Sequence, residues 1–366
     1  MKIIWFSWKD KKHPQAGGAE VVADALLSRL AKDGHEVTLL TARYAGASPE
    51  DTINGYRVIR VGGRFSVYWQ AFRYYQKHLK GQHDFVIEEI NTIPFFTRWY
   101  IAGKRTLFFH QLAREIWFYQ MFFPLSLVGY IAEPVYLWLL SKDSVITISQ
   151  STKSDLVRFG FKPENISIIS EGIDITPLES LEGIKKSDVP TILSLGAVRP
   201  MKRTLEIVKA FEVLKARVST AVLVIAGDTA GKYGTQVLKA VAESKYKNNI
   251  HVVGKVARTV KIHLMQSAHI LAVTSLKEGW GLVVTEANSQ GTPAVVYNVD
   301  GLRDSVRDGE TGLYARENTP EGLAKVMIQM LEDKTAYEKM RQNAWVWSRE
   351  VTFERGYFDF KKILTI

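Results

Sequence analysis

The sequence predicts an α/β protein built from two doubly wound parallel-sheet domains. Short apolar, β-branched or aromatic runs alternate with segments of helical periodicity along the 366 residues, an order typical of parallel sheets covered by helices. The alternation starts again at Thr191–Leu195, after the polar stretch Glu179–Asp188. A chain of this length is expected to hold two domains. We therefore expect one domain at 1–180 and a second at 181–349.

The predicted strands of the first half are short runs rich in β-branched and aromatic residues. They lie at Lys2–Phe6, Val37–Thr41, Arg57–Val61, Phe85–Ile90, Thr106–His110, Ser144–Ile148 and Ile166–Ile169. The helices between them are predicted at Ala19–Asp33, Val67–Lys80 and Lys153–Phe159. The first of these helices carries Val22, Leu26 and Leu30 on one face, and Gly34 follows it as a stop signal.

The second half repeats this order of elements. Its strands are predicted at Thr191–Leu195, Ala221–Ala226, Ile250–Val253, Ile270–Val273 and Ala294–Tyr297, with helices between them. Open α/β sheets bind their ligands at the carboxyl ends of the strands. The candidate motifs described below all fall at such ends, which favours a role in ligand binding.

Composition and charge narrow the classes of partner. The residues are 46% hydrophobic and 23% charged, with no cysteine, as in an ordinary globular protein. The formal net charge of +10 suits phosphates or anionic lipid. No zinc-finger spacing or Arg-rich helix is present, so we expect no nucleic-acid partner. The apolar run Met1–Phe6 is too short for a signal peptide and no run is long enough to span a bilayer, so we expect a cytoplasmic protein.

Two glutamates, Glu278 and Glu286, flank a glycine-containing loop that opens a predicted helix. The backbone N–H groups at 279–283 have no partner within that helix and form an anion site. Glu278 before the loop and Glu286 in the second helical turn can each accept hydrogen bonds from hydroxyl groups. Hydroxyls, phosphates and hydroxyls are the layout of a sugar nucleotide. Two glutamates at this spacing also occur by chance in proteins that have no such site.

Gly17 and Gly18 end the loop after the first predicted strand and open the first long helix. Glycine lets the backbone approach a phosphate closely, and the helix start adds unpaired donors. The alternative is an ordinary glycine-containing loop. Because the segment is not a G-x-G-x-x-G fingerprint and no acidic residue follows at the expected strand end, a dehydrogenase is disfavoured.

Two cations follow the first strand of the second half, in a segment that begins at Gly196. Arg199 and Lys202 lie at the strand's carboxyl end, just before a helix predicted at 203–216. They can clamp a diphosphate and stabilise the charge of a departing nucleotide. The alternative is a solvated helix start, but cations are unfavourable there unless an anion is bound.

His110 ends the predicted strand Thr106–His110, where it can donate a hydrogen bond to a ligand. A structural histidine satisfied by the backbone is the alternative. The other histidines show no ligand spacing, so we expect no metal site.

Residues 114–140 are much more apolar and aromatic than the rest of their domain. Pro124, Glu133 and Pro134 are expected to break this stretch, so that it cannot span a membrane as one helix. It is apolar enough to enter a membrane interface or hold a lipid tail. The alternative is a buried pair of helices.

Together these residues resemble the GT-B glycosyltransferases, and specifically glycosyltransferase family 4, over almost the whole chain. The features that carry the resemblance are Gly17-Gly18, His110, Arg199-x-x-Lys202 and Glu278-x7-Glu286. The glutamate motif is the most specific, with Gly279-Trp280-Gly281-Leu282 inside it and Gly291-Thr292-Pro293 after it. The resemblance implies two Rossmann-like domains that face each other across a cleft. It also implies that a C-terminal helix within 350–366 returns to the first, acceptor-side domain.

The resemblance assigns a role to each matching position. Glu278 would bind hydroxyls of the transferred sugar, and Glu286 would bind the ribose. Arg199 and Lys202 would hold the diphosphate. His110 would contact the sugar near its reacting carbon.

Further donor contacts are implied for residues near these positions. The diphosphate would also meet Gly18 and the backbone from Gly279 to Val283, and the base would lie beside Gly254 and Lys255. Together with Gly17 and the loop residue Gly196, the predicted nucleotide-binding backbone is Gly17, Gly18, Gly196, Gly254, Lys255, Gly279, Trp280, Gly281, Leu282 and Val283.

The family implies a retaining, metal-independent hexosyltransferase that needs no cofactor. Its donor would be a UDP- or GDP-linked sugar, and its acceptor a glycan or lipid-linked glycan met at the cytoplasmic face of a membrane, with 114–140 as the contact. Two alternatives remain open: a GT-B-like nucleotide-sugar epimerase, and a non-catalytic peripheral membrane module that binds sugar nucleotides.

Overall fold

The computed structural model describes residues 1–365, and the chain forms two compact units. Unit 1 contains Met1–Gly172 together with the chain from Phe353 onward, and unit 2 contains Ile173–Thr352. The boundary expected after residue 180 therefore lies inside unit 2. The physical reason is that the segment after Gly172 packs there: the N–H of Leu178 donates to the carbonyl oxygen of Ser289 at 3.0 Å.

Unit 1 is built on an eight-stranded sheet. Its strands are β1 Lys2–Phe6, β2 Glu36–Thr41, β3 Glu50–Ile53, β4 Tyr56–Arg60, β5 Phe85–Ile90, β6 Lys104–Phe109, β7 Val145–Thr147 and β8 Ile166–Ile168. Their order in the sheet is β3-β4-β2-β1-β5-β6-β7-β8. All neighbours are parallel except β3, which pairs antiparallel with β4. The edge strand β3 was not predicted, because its sequence Glu-Asp-Thr-Ile has little apolar character.

The helices of unit 1 surround this sheet. They are α1 Gly18–Lys32, α2 Val67–Tyr74, α3 Trp117–Gln120, α4 Leu125–Leu140, α5 Gln150–Arg158 and α13 Phe353–Leu364. The helix predicted at Val67–Lys80 is regular only to Tyr74, and a π-helical turn continues it over Tyr75–Leu79. In that turn Tyr75 and Leu79 both remain buried.

Unit 2 is built on a six-stranded sheet whose neighbouring strands are all parallel. The strands are β9 Thr191–Leu195, β10 Val222–Ala226, β11 Ile250–Gly254, β12 Ile270–Val273, β13 Ala294–Val296 and β14 Gly312–Tyr314, in the order β11-β10-β9-β12-β13-β14. The helices are α6 Thr204–Arg217, α7 Lys232–Glu243, α8 Arg258–Ser267, α9 Leu282–Ser289, α10 Leu302–Ser305, α11 Pro320–Glu332 and α12 Lys334–Ser348.

Both faces of the unit 2 sheet are buried. Ile192 of β9 packs in a cluster with Phe211 of α6, whereas the next residue, Leu193, packs in a second cluster with Ala287 of α9. Successive side chains of a strand point to opposite faces, so helices cover the sheet on both sides. The predicted fold class of two doubly wound α/β domains is confirmed.

The prediction that Glu133 and Pro134 interrupt the apolar stretch 114–140 is wrong. The helix α4 begins after Pro124, as expected, but then runs through both residues. Proline removes the N–H that would bond the carbonyl four residues earlier, which here belongs to Tyr130. The guanidinium of Arg114 donates to that carbonyl oxygen at 3.3 Å, so the freed acceptor keeps a partner.

The buried side chain of Glu133 in α4 is hydrogen-bonded to the turn before α3. Its carboxylate accepts from the backbone N–H groups of Ala113 and Arg114 at 2.8 and 2.6 Å, and from the indole N–H of Trp117 at 3.0 Å. Burial raises the pKa of Glu133, and these donors together with the Arg114 charge oppose that shift. A buried carboxylate with three donors is compatible with a continuous helix.

The outer side of the same region is apolar and exposed. On α4, Val128, Ile131, Val135 and Trp138 recur at helical spacing and are 57–68% exposed. We call the whole set of exposed apolar residues between 118 and 139 the apolar surface; its members are Phe118, Tyr119, Phe122, Phe123, Leu125, Leu127, Val128, Ile131, Val135, Trp138 and Leu139. No helix within residues 1–365 is both long enough and apolar enough to cross a bilayer.

The C-terminal helix α13 packs on unit 1. The ring of Phe360 lies 6.0 Å from that of Trp5 in β1, and Arg29 of α1 pairs with Glu354. Close approach requires glycine at one position of this helix. A Cβ atom on Gly356 would lie 2.2 Å from the carbonyl oxygen of Ser170.

This contact reverses the usual effect of a helical glycine. In a helix interior, Gly→Ala normally raises stability by about 0.5–1 kcal/mol. Gly356→Ala is instead expected to lower it by about 1–3 kcal/mol, because the added methyl group overpacks against backbone. Urea unfolding measures the change, with Phe358→Ala on the exposed side of α13 as control. A Gly356→Ala protein at least as stable as the wild type would contradict this packing.

Candidate functional site

The loops that follow β9 and β12 lie side by side in unit 2. The two strands are parallel neighbours, but the chain runs from β9 to β10 on one side and reaches β12 on the other side only after β11. This is the topological switch point of a doubly wound sheet, where ligands bind. The predicted residues Gly196, Arg199, Lys202 and Glu278 all lie in these two loops.

Lys202 and Glu278 form an ion pair that joins the two loops. Lys202 ends the short 3₁₀ turn Pro200–Lys202, and its ammonium group donates to Oε1 of Glu278. The hydroxyl of Ser275 donates to the same oxygen at 2.5 Å. Within residues 1–365 the second carboxylate oxygen, Oε2, has no hydrogen-bond partner. Oε2 of Glu278 is therefore available as a hydrogen-bond acceptor.

Backbone contacts fix the same two loops. The hydroxyl of Thr274, directly after β12, donates to the carbonyl oxygens of Lys202 and Arg203 at 2.9 and 3.0 Å. The N–H of Leu276 donates to the carbonyl oxygen of Met201 at 2.8 Å. Side chains that are held in this way by their backbone need little reordering when a ligand binds.

The charge of Glu278 is stabilised by its neighbours. Burial alone would raise its pKa, but the Lys202 ammonium, the Ser275 hydroxyl and the charge of Arg199 outweigh burial and lower the pKa of Glu278. The carboxylate is therefore ionised at neutral pH and acts as a hydrogen-bond acceptor. Arg199 itself is exposed and forms no ion pair within residues 1–365.

The predicted loop from Gly279 to Val283 leads into α9. Gly281 adopts a φ of 100°, which favours glycine, and α9 begins at the next residue, Leu282. The first N–H groups of an α-helix have no acceptor inside the helix, so this start can bind an anion. The indole N–H of Trp280 is buried and has no hydrogen-bond partner in the described part of the chain.

Glu286 lies in the second turn of α9, as predicted, and is buried. Lys261 of α8 contacts both of its oxygens, at 2.8 and 2.7 Å. Burial raises the pKa of Glu286, and the Lys261 charge opposes this shift. Sequence reasoning missed Lys261, because a lysine in a surface helix gives no signal until the fold places it beside a carboxylate.

The remaining predicted residues of unit 2 lie on the same edge of the sheet. Gly196 follows β9 and its N–H donates to the carbonyl oxygen of Ala226 at 2.9 Å. Gly254 is the last residue of β11, two strands away from β9, and Lys255 after it is exposed. No hydrogen bond or ion pair among residues 1–365 joins Gly254 or Lys255 to Glu278.

His110 lies in unit 1, buried at the end of β6. Its Nε2 is 3.3 Å from Oε1 of Glu89, whose other oxygen accepts from the indole N–H of Trp5 at 2.8 Å. Burial would lower the pKa of His110, but the carboxylates of Glu89, Glu171 and Glu20 outweigh burial and raise it. The imidazole is thus favoured in its charged form.

Sequence reasoning missed this group of carboxylates. Two acidic residues, Glu88 and Glu89, in an otherwise apolar strand were the available signal. Glu171 is also buried, and burial raises its pKa to about 7, against the charge of His110 and the N–H of Gly172. Residues 1–365 contain no group of three or more His, Cys, Asp or Glu side chains placed to hold a metal ion.

Gly17 and Gly18 open α1, as predicted, but the helix start already has an anionic partner. The N–H of Gly17 donates to Oε2 of Glu20 at 2.6 Å. The other oxygen of Glu20 pairs with Lys9 at 3.1 Å. A glutamate three residues after the cap commonly takes this place, so the chain's own carboxylate lies where a phosphate was expected at Gly17.

Solved structures match this fold over the full length of the chain. Sucrose-phosphate synthase from Thermosynechococcus elongatus matches with a TM-score of 0.80 and 18% identity, covering 100% of this chain and 98% of that one. WaaG, a glycosyltransferase involved in lipopolysaccharide biosynthesis, matches with a TM-score of 0.78 and 17% identity, covering 99% of each. A complex of Anabaena Alr3699/HepE with UDP-glucose matches with a TM-score of 0.74 and 16% identity, covering 100% and 99%.

Two family models divide the sequence between them. The model described as Glycosyltransferase Family 4 matches residues 16–176, and the model described as Glycosyl transferases group 1 matches residues 179–347. The chain belongs to the GT-B glycosyltransferases. The family resemblance that the sequence motifs indicated is thereby confirmed.

Curated relatives of this GT-B glycosyltransferase carry several different names. N-acetyl-alpha-D-glucosaminyl L-malate synthase of Bacillus anthracis is 27% identical over 192 residues, covering 52% of this chain and 47% of that protein. Glycogen synthase of Mycobacterium tuberculosis is 27% identical over 212 residues, covering 57% and 50%. D-inositol 3-phosphate glycosyltransferase of Xylanimonas cellulosilytica is 27% identical over 232 residues, covering 59% and 55%. The chain spans about half the length of these relatives.

The buried Glu171 gives stability a defined pH dependence. The pKa of this group in the folded protein, about 7, lies above its ordinary value of 4.5, so its contribution is complete below about pH 4.5 and is lost as pH rises through 7. Glu171→Gln stays neutral at every pH. We expect its stability relative to wild type to increase between pH 5 and 8, by up to roughly 3 kcal/mol.

Melting temperatures measured across this pH range test the expectation. The exposed Glu164→Gln in the same unit is the control, and its difference from wild type should stay constant with pH. A constant difference for Glu171→Gln as well would show that the Glu171 carboxyl is not buried in this way.

Proposed function

We propose that the protein transfers a hexosyl group from a nucleoside-diphosphate sugar to a lipid-linked glycan or glycolipid, with retention at the anomeric carbon and without a metal ion or cofactor. The observation that carries the proposal is the Lys202–Glu278 pair at the switch point of unit 2. It combines a cation for the diphosphate and a carboxylate for sugar hydroxyls in one fixed contact. The start of α9 lies in the same loop and adds donors for a phosphate.

The chemistry of such a transfer requires stabilisation of a leaving group. The bond between the anomeric carbon and the diphosphate oxygen breaks, and a bond from the acceptor oxygen to that carbon forms. The diphosphate gains negative charge, which Arg199, Lys202 and the first N–H groups of α9 can stabilise electrostatically. The acceptor proton passes to an oxygen of the departing diphosphate on the same face, so no protein nucleophile is needed.

Glu278 and Glu286 would position the two hydroxylated rings of the donor. The free Oε2 of Glu278 can accept from the hexose, since Lys202 and Ser275 both occupy Oε1. Glu286 would accept from the ribose, and Lys261 pairs with its buried carboxylate. Alr3699/HepE has been solved with UDP-glucose, which supports a uridine donor here; a guanosine donor has the same diphosphate and ribose.

Membrane contact through the apolar surface is part of the proposal. An α-helix of 16 residues such as α4 is about 24 Å long, shorter than a bilayer-spanning helix. Its exposed stripe of Val128, Ile131, Val135 and Trp138 carries no charge, and such contiguous apolar faces mark interaction sites. Apolar and aromatic side chains on one exposed helix face suit a membrane interface. We therefore place the reaction at the cytoplasmic face of a membrane, where a lipid-linked acceptor is available.

Loss of either partner of the ion pair should slow transfer. Lys202→Ala and Glu278→Ala are each expected to cost about 2–4 kcal/mol of transition-state stabilisation, or roughly 30- to 1000-fold in kcat/KM. Because both residues act through one contact, the double variant should lose less than the product of the single losses. A thermal-shift screen of UDP, GDP and their hexose derivatives first identifies the donor, and release of nucleoside diphosphate in the presence of lipid acceptor gives the rate.

Lys209→Ala is the matched control, since Lys209 is exposed on α6 and, within residues 1–365, its one ion pair is with Glu206 of the same helix. Rates of Lys202→Ala and Glu278→Ala within a few-fold of this control would refute the site. Nucleotide release that does not depend on acceptor, with conversion of the sugar to its epimer, would favour an epimerase instead.

Removal of the apolar stripe should weaken membrane binding without affecting the donor site. The triple variant Ile131→Ser, Val135→Ser and Trp138→Ser is expected to bind phospholipid vesicles at least about tenfold more weakly, since each CH₂ removed from lipid costs about 0.8 kcal/mol. Sedimentation with vesicles measures this binding. The control replaces three isolated exposed valines of unit 2, Val213, Val260 and Val346, with serine. Equal vesicle binding by the two triple variants would rule out this surface.

A further inference from the structure

A group of cations and aromatic rings lies at the carboxyl edge of the unit 1 sheet. These residues follow other strands than β6, which His110 follows. The strands β1, β2 and β4 are consecutive parallel neighbours in that sheet, so the loops that follow them meet at one edge. Trp8 follows β1, Arg43 and Tyr44 follow β2, and Arg64 and Phe65 follow β4. The sequence motifs gave no role to any of these residues.

Hydrogen bonds hold these loops against one another. The N–H of Ala42 donates to the carbonyl oxygen of Trp8 at 3.3 Å, and the N–H of Arg43 donates to that of Gly62 at 3.1 Å. The ring of His13 lies 5.1 Å from that of Tyr44. The loops after β1, β2 and β4 are therefore joined to one another, and the backbone of Arg43 is fixed by its bond to Gly62.

Arg64 connects this edge to the apolar surface. Its guanidinium lies 5.7 Å from the ring centre of Trp8 and 5.4 Å from that of Phe65. Its Nη2 donates to the carbonyl oxygen of Gln120 at 3.3 Å and contacts Sδ of Met121 at 3.7 Å. Gln120 and Met121 stand between Tyr119 and Phe122 of the apolar surface, so the guanidinium lies at its margin.

The positive charge here is not neutralised by the chain. Arg43 and Arg64 are both exposed, and neither forms an ion pair with a carboxylate of residues 1–365. The nearby acidic residues are already engaged. Asp10 in the loop after β1 pairs with Arg60 at 2.7 Å, Asp51 of β3 pairs with Lys12 at 2.8 Å, and Glu20 of α1 pairs with Lys9 at 3.1 Å. Nε and Nη1 of Arg64 make no hydrogen bond in the described part of the chain. Guanidinium groups left free in this way suit the planar, bidentate recognition of a phosphate.

We propose that Arg43 and Arg64 bind the phosphate of the lipid-linked acceptor, whose hydrocarbon part lies against the apolar surface. The charge and the apolar area together define an anionic amphiphile, and neither feature alone would do so. This inference rests on the proposed transfer to a lipid-linked acceptor and adds a phosphate group to the description of that acceptor. The ligand class is a glycolipid that carries a phosphomonoester or diphosphate next to its lipid chain and the acceptor hydroxyl on its sugar.

Vesicle binding by the full chain tests the proposal. The probes are phosphatidylcholine vesicles that contain either phosphatidic acid, which presents a phosphomonoester, or phosphatidylglycerol, which presents a diester, at equal total lipid charge and 150 mM salt. We expect wild type to bind the phosphatidic acid vesicles at least about fivefold more tightly. Arg43→Gln/Arg64→Gln should lose that preference and bind both kinds of vesicle equally.

The control Arg158→Gln/Lys162→Gln removes the same charge from the surface of unit 1 and should keep the preference. The proposal would be overturned if wild type showed no preference for phosphatidic acid vesicles, or if the preference persisted in Arg43→Gln/Arg64→Gln. An equal loss of the preference in the control pair would assign the effect to net charge and would also overturn the proposal. Melting temperatures of both pairs report folding, and the wild-type preference tests the proposal even where a variant does not fold. Thermal shifts with UDP and GDP are expected to be unchanged in Arg43→Gln/Arg64→Gln. The vesicle preference therefore tests this inference, and the nucleotide thermal shift separately tests the donor site.

Discussion

The ion pair between Lys202 and Glu278 is the interaction on which the candidate donor site depends. It ties the loop after β9 to the loop after β12, and the Thr274 hydroxyl reinforces the tie by donating to the carbonyl oxygens of Lys202 and Arg203. A half-buried pair gains little net stability, because desolvation offsets most of the Coulomb attraction. The pair mainly fixes geometry: the chain holds one oxygen of Glu278 and leaves the other available as a hydrogen-bond acceptor.

Unit 1 uses buried charge in a different way. His110 lies among the carboxylates of Glu89, Glu171 and Glu20, and these raise its pKa despite burial. Charges of this kind are costly in a protein interior unless they are paired or serve a function. The exposed arginines Arg43 and Arg64 pair with no carboxylate of residues 1–365, and Arg64 lies at the margin of the apolar surface. The same sheet edge therefore carries two different charge arrangements. The one around His110 is buried and internally paired, and the one with Arg43 and Arg64 is exposed to solvent.

Much of this structure could be predicted from local pattern. The parallel strands are apolar runs, and Gly281 before Leu282 marks the helix start that positions Glu286. The misses have physical causes. The helix α4 continues through Pro134 because Arg114, distant in sequence, takes the carbonyl that proline leaves free. Lys261 and Glu89 were missed because their importance comes from partners brought together by the fold, and the Glu20 contact at Gly17 depends on a side-chain rotamer.

The most direct measurement compares a nucleoside diphosphate with its monophosphate by isothermal titration. If Arg199 and Lys202 hold the second phosphate, wild type should bind UDP or GDP at least about tenfold more tightly than UMP or GMP, the range expected for charge-assisted contacts. In Arg199→Ala/Lys202→Ala that advantage should disappear, while monophosphate binding stays nearly unchanged. An advantage of the same size in the double variant would contradict a diphosphate site at these residues.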